Sequence, residues 1–438
     1  MYTSYIGKKF LNYYNKVENK NYSAKDFFDE ILFPIFFNDE RHLMHVGNSA
    51  FFQKPTKEFV EKSSSKQEAQ LKKLHHDIAN EPPNMATLVG FAAKDVTNTT
   101  SGQLTDMEFD IDSEEMYTSW IGQSVSIGVS GGYNVAINNT DVLYNIHKGA
   151  KYYREYIKKT PSVKDKQIET WNGHWLIHYY SKIFDSNHIW SNFTIDTKET
   201  ANTISIPTIL WSRLIFTLAK IFPDQELLIY AYNLSKTNTT LGFNKVYLPA
   251  IKRMYEFRDK IFIEKSGSVL TDEQIEFLEP FFGFKSVCRN GTIGLHSIEP
   301  KGLRDYLPIG SYKYSKGKSF KVTENNYITY LIYKLWVIAM LNRTELLRLA
   351  EKLASTLIEY KTEKSETDRG KKVTEQEVKN ILESRNIKYF IDNLTDLMQK
   401  NNSSKNMFKE IVEEVLKMPH DNFPLFVTLI KFEYNYQK

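Results

Sequence analysis

The sequence predicts an α+β, predominantly helical fold: a mixed N-terminal region over 1–322, followed by a C-terminal antiparallel helical bundle over 323–438. Three observations carry this expectation. Apolar residues recur at helical spacing near the start; between 85 and 136 that spacing gives way to alternation and glycine-rich turns; beyond 326 it becomes helical almost throughout. A chain of 438 residues is also longer than one hydrophobic core ordinarily fills.

The elements follow in order. Over 8–19 and 23–37 the apolar positions Phe10, Leu11 and Tyr14, then Phe27, Phe28, Ile31 and Leu32, keep a helical period. Ser23 is a suitable N-cap for the second run and Asp26 suits the helix dipole, whereas Pro34 should kink or end it. Phe33, Phe36 and Phe37 read as core anchors. A charged helix over 63–79 should end before Pro82-Pro83. Asp106, Glu108, Asp110 and Asp112 alternate with Met107, Phe109 and Ile111, which predicts a strand with one acidic face. Gly128, Gly131 and Gly132 then predict a hairpin turn at Ser130-Gly131-Gly132-Tyr133-Asn134, and Asn139-Thr140-Asp141 should cap a helix over 142–158. Further on, 206–221 is an apolar helix, 227–234 a buried segment, and Thr271 caps another helix, while 290–320 is rich in glycine and proline. Apolar stripes over 327–341, 343–360, 374–399, 406–417 and 423–436 predict the bundle.

Composition narrows the function. Hydrophobic residues make up 41% of the chain, and no apolar run approaches the roughly 20 residues that span a bilayer, so a soluble protein without a membrane partner is expected. The opening Met1-Tyr2-Thr3-Ser4 does not read as an export signal, and the single Cys288 leaves no internal disulfide and no thiolate zinc cluster. A cytoplasmic location follows as the expectation. The net charge of +4 is too small for bulk attraction to nucleic acid, so the placing of the 57 Lys and Arg decides what they do.

Two segments gather positive charge beside aromatic rings, a mixture suited to phosphates and exposed bases. The helix after Asn139 interleaves Lys151 and Arg154 with Tyr144, Tyr152, Tyr153 and Tyr156; the stretch 311–321 interleaves Lys313, Lys316, Lys318 and Lys321 with Tyr312, Tyr314 and Phe320. A solvated basic face and a lysine-rich surface loop are the plainer readings of each. The turn at Ser130, Gly131, Gly132, Tyr133 and Asn134 fits neither dinucleotide nor P-loop spacing; it is slender enough to enter a DNA groove, though an ordinary hairpin also explains it. His42 with His45, and His174 with His178, have ligand-like spacing but lack the further ligands that a metal needs, so neither metal nor cofactor is expected.

Three stretches resemble the large subunit of type I CRISPR effector complexes (Cascade). They are the aromatic run from Phe27-Phe28 to Phe36-Phe37; the stretch 149–175 with Tyr153-Arg154-Glu155-Tyr156 and Trp171-Asn172-Gly173-His174-Trp175; and Asn422-Phe423-Pro424-Leu425-Phe426 with Phe432-Glu433-Tyr434. Some members of that family carry paired CxxC zinc motifs that this chain lacks. The resemblance implies a non-enzymatic subunit that recognises the short motif flanking a target in duplex DNA and helps R-loop formation. Its implied partners are a guide RNA, the other effector subunits and a separate helicase-nuclease. Motif reading is then assigned, from their own chemistry, to Ser130, Gly131, Gly132, Tyr133 and Asn134. Strand tracking is assigned to Lys313, Lys316, Lys318 and Lys321, with Lys151 and Arg154 secondary. The alternatives are a metal-dependent nuclease using Asp106, Glu108, Asp110 and Asp112, and a protein-binding scaffold without nucleic-acid contact.

Overall fold

The computed structural model describes residues 1–90, 110–232, 242–262, 292–296, 298–363, 368–400 and 405–438. The chain folds as two compact units, Met1–Leu248 and Pro249–Lys438. The helix expected after Thr271 lies outside the described residues. Among the described residues, no helix is long and apolar enough to cross a membrane.

The first unit opens with α1 (Tyr2–Val17), then α2 (Ala24–Phe27), a π-helical turn over Phe28–Leu32 and α3 (Phe33–Phe36). Ser23 and Asp26 form a reciprocal capping box at the start of α2. Pro34 falls in the first turn of α3, directly after the widened turn, and the helical path ends two residues later. Phe27, Phe28, Phe36 and Phe37 are fully buried, and Phe37 stacks on Phe51 with ring centroids 4.1 Å apart. The anchor expectation holds.

After α4 (Lys57–Glu61) and α5 (Lys66–Asn80), the chain reaches α6 (Ser113–Ser124). Here the strand expected over 106–112 is corrected in part. Asp106 and Glu108 lie outside the described residues, but Asp112 is the N-cap of α6, its Oδ1 accepting from the Glu115 amide at 2.7 Å. An aspartate serves a helix start as readily as an acidic strand face. α6 crosses α1 at two glycines. A Cβ on Gly7 would stand 1.8 Å from the Thr118 carbonyl oxygen, and one on Gly122 2.0 Å from that of Thr3, so the two backbones touch where no side chain fits.

Next come β1 (Ile127–Val129), β2 (Tyr133–Ile137), α7 (Thr140–Lys148), α8 (Ala150–Lys159) and α9 (Ile168–Tyr179). The single helix expected over 142–158 is broken at Gly149. A Cβ there would lie 2.4 Å from Trp175 Cγ, and the Gly149 carbonyl accepts from Trp171 Nε1 at 2.9 Å. β3 (Lys198–Thr200) and β4 (Thr203–Ser205) form a small hairpin, α10 (Trp211–Ile221) is the expected apolar helix, and β5 (Glu226–Tyr232) and β6 (Gly242–Tyr247) complete this part. β1, β2, β5 and β6 are antiparallel neighbours in that order, in the register Val129 with Tyr133, Ile137 with Ile229 and Ala231 with Gly242.

α9 is the hub of the unit. Every residue from Trp171 to His178 on it is buried. Its polar groups end on main-chain carbonyls of other segments: Trp175 Nε1 on Asn145 (2.8 Å), Asn172 Nδ2 on Ser124 (2.9 Å) and Ser126 (2.8 Å), and His174 Nε2 on Pro207 (2.8 Å). The buried donors of these side chains are thereby satisfied, which offsets the cost of burying them, while Asn172 Oδ1 is buried without a partner.

α11 (Leu248–Phe262) carries the chain across the division. The second unit then holds α12 (Tyr327–Leu341), α13 (Glu345–Glu363), α14 (Asp368–Leu382), α15 (Ile387–Lys400), α16 (Lys405–Leu416) and α17 (Phe423–Gln437), a helical bundle as expected. The expectation placed a boundary at 322, whereas the compact units divide at Leu248; some residues before α12 dock on the bundle, Trp336 Nε1 donating to the Leu295 carbonyl (2.8 Å) and Tyr333 Oη to that of Lys301 (2.8 Å). At the bundle centre Lys334 pairs with Glu433 at 2.7 Å, and Tyr330 Oη donates to the same carboxylate at 3.0 Å; Glu433 is fully buried.

Removing one partner of that pair should cost far more than removing both. Lys334→Ala is expected to destabilise by about 3–5 kcal/mol through the stranded carboxylate, whereas Lys334→Met with Glu433→Leu should cost much less, as read by urea denaturation.

Candidate nucleic-acid interface

The predicted turn is a three-residue hairpin loop between β1 and β2. Gly131 (φ +96°) and Gly132 (φ +79°) take left-handed conformations at its exposed tip, which any side chain with a Cβ would strain. Its base is fixed to the unit interior: the Ser130 amide and hydroxyl both donate to the Ile209 carbonyl, at 2.8 and 3.1 Å. Tyr133 and Asn134 are half-buried in β2, Asn134 in register with Tyr232. The tip itself, rather than all five residues, is what projects.

On α8 the two predicted cations part company. Lys151 is exposed, its ammonium 4.8 Å above the Tyr152 ring. Arg154 is withdrawn from the surface and its assignment to nucleic acid is corrected. Its guanidinium donates to the carbonyls of Ile35 (2.8 Å), Arg41 (2.6 Å) and Phe36 (3.2 Å), with Asp39 at 3.6 Å. With one planar fork it donates to two carbonyls of α3 and one of the loop after it, which leaves no free edge for a phosphate. Tyr153 and Trp171 stack at 5.0 Å in the core, and Tyr152 lies 5.0 Å from Trp175, so the tyrosines of this helix mostly pack inward.

The lysine-rich stretch belongs to the second unit and is held in a defined shape. The Gly317 and Lys318 amides donate to the carbonyls of Leu307 (2.9 Å) and Asp305 (2.8 Å); Lys431 Nζ donates to the Gly317 carbonyl (2.7 Å) and Tyr312 Oη to that of Asp421 (2.7 Å). Lys313, Lys316, Lys318 and Lys321 are all exposed. Lys316 and Lys318 share Asp305 at 2.9 and 2.8 Å, and hydrogen bonds from Lys318 and Lys316 hold that carboxyl below the ordinary carboxylate range. Tyr314 is 69% exposed with Lys313 Nζ 5.3 Å from its ring centre, a flat apolar face beside ammonium groups. Sequence reading located the segment but missed the Asp305 clasp, which lies before it in the chain, and the prominence of Tyr314.

The remaining polar candidates are absorbed by packing. His178 Nε2 donates to the Ile189 carbonyl (3.2 Å) and its ring stacks on Phe193 at 4.6 Å; burial lowers the pKa values of His174 and His178, and brings His42 and His147 down to about 4. Among the described residues, no group of three or more His, Cys, Asp or Glu side chains is placed to hold a metal ion. No family model matches the chain, and comparison with curated proteins and with solved structures finds no match either.

Arg154→Ala should therefore act on stability. A loss of roughly 2 kcal/mol is expected, because the carbonyls of Ile35 and Arg41 lose their donor while that of Phe36 keeps the Leu43 amide at 3.0 Å; nucleic-acid affinity of the folded protein should be unchanged at matched salt, and a selective loss of affinity would restore Arg154 to the interface.

Proposed function

We propose that this chain is a non-catalytic, nucleic-acid-contacting subunit of an RNA-guided CRISPR effector complex. Nucleic-acid contact rests on the exposed, backbone-anchored segment bearing Lys313, Lys316, Lys318 and Lys321 around Tyr314, and the place in an effector complex on the sequence resemblance alone. Four ammonium groups on a shaped loop can replace condensed counterions along a phosphate backbone, and an exposed ring can stack on an unpaired base. Pairing of Lys316 and Lys318 with Asp305 leaves their reach to solvent open, since both side chains stay more than half exposed. The hairpin tip at Gly131 and Gly132 supports a second, finer role. Two glycines leave only main-chain groups at the point, so it can approach base-pair edges closely, as reading of a short flanking motif requires. In the proposed complex, base pairing with a guide RNA supplies most of the sequence recognition.

The test is the salt dependence of binding to duplex and single-stranded DNA, measured by fluorescence anisotropy on the full chain. Changing Lys313, Lys316, Lys318 and Lys321 to Ala should weaken binding to all sequences alike and reduce the slope of log affinity against log salt by roughly 3–4. An unchanged slope would exclude this segment, and absence of binding by the parent chain, with and without co-purified partners, would favour a protein scaffold.

A further inference from the structure

A cleft of about 460 Å³ opens in the first unit between the segment around His42, the Phe51–Lys54 turn, the start of α5 and Lys166. Its charge is one-sided. Lys54, Lys66 and Lys166 line it against the single carboxylate of Glu40, and Gln53, Gln67 and Gln70 add amides. We infer that this cleft binds a small phosphorylated polyol or sugar, its phosphate on the three lysines and its hydroxyls on Gln53, Gln67 and Glu40.

Three features of the cleft support the inference independently of the nucleic-acid reading. Lys66 is the first residue of α5, where a cation opposes the positive end of the helix dipole; an anion bound between them turns that conflict into attraction. Lys166 holds a left-handed backbone conformation (φ +62°) that glycine would adopt without cost, and its amide is fixed to the His42 carbonyl at 2.9 Å. Gln70, 2% exposed, ties the wall together by donating to the carbonyls of Phe51 and Gln53, each at 3.0 Å.

The chemistry of the lining sets the ligand class. A volume of about 460 Å³ exceeds what inorganic phosphate fills and lies within the range of small-metabolite sites. Asp165 lies 3.4 Å from the Lys166 ammonium, which also lies 5.0 Å from the Phe52 ring centre. With that ring occupied by the lysine, the polar lining favours hydroxyl groups over a stacked base.

The experiment is calorimetric titration of the full chain with ribose 5-phosphate, adenosine 5′-monophosphate, inorganic phosphate and ribose. Ribose 5-phosphate should bind more tightly than phosphate, and ribose should not bind. Lys166→Gly, which removes the ammonium while relaxing the backbone, should weaken binding roughly 10- to 100-fold with the melting temperature unchanged or raised; Lys66→Gln should act in the same direction. Equal binding of adenosine 5′-monophosphate, lost in both variants, would support the inference, since the shared ribose phosphate then carries the affinity; tighter binding would overturn it, because the base would then supply what the lining is argued not to offer. Phosphate binding as tightly as ribose 5-phosphate, no binding by any phosphorylated probe, or full affinity in both variants would overturn the inference.

Discussion

The first unit depends on the polar side chains of α9 finding main-chain carbonyls in a buried interior. Trp171, Asn172, His174 and Trp175 reach four separate segments: the bend between α7 and α8, the body of α7, the end of α6 with the turn after it, and the approach to α10. Each bond has a modest net value, but leaving any of these groups unpaired would cost the full desolvation penalty. Apolar burial would tolerate small slips between those segments; a set of directional bonds does not. The contact at Gly149, where only hydrogen fits against Trp175, adds a steric limit to the same joint.

That rigidity shapes the surface. The β1–β2 hairpin leaves the hub through Ser130 and Ile209, and Ile209 also packs where a Cβ on Gly173 of α9 would stand, 2.8 Å from its Cδ1. The tip therefore inherits its position from the core while its two glycines keep it narrow. In the second unit the lysine segment is fixed in another way, through carbonyls of the preceding turn and one buried lysine of α17. Both are exposed groups on ordered backbone, which lowers the entropy lost when a partner is gripped.

Much of the fold is legible in the residues. The bundle helices carry apolar stripes with polar breaks between them, and even α12 and α17, buried almost all round, stand out by continuous apolar content. α6 is hidden for the opposite reason: it is buried from Met116 to Ser124 yet built largely of Thr, Ser, Gly and Gln, so neither period nor hydropathy marks it. The acidic alternation up to Asp112 reads as a strand although Asp112 and Glu115 have the spacing of a helix cap, because the alternation before them masks it. Basic residues are the hardest to place. Lys151 and Arg154 have the same aromatic company in the chain, and only the fold brings carbonyls of Ile35, Phe36 and Arg41 to one of them. The cleft lysines, Lys54, Lys66 and Lys166, are similarly invisible as a group because α5 and the loop before α9 are far apart in sequence.

Native-state hydrogen exchange on the full chain tests the central role of α9 most directly. If its buried polar bonds hold the first unit together, amides of α9 and α6 exchange only through opening of the whole unit, at the highest free energy found there. Exchange from α9 at lower denaturant than from the β5–β6 pair would contradict the account.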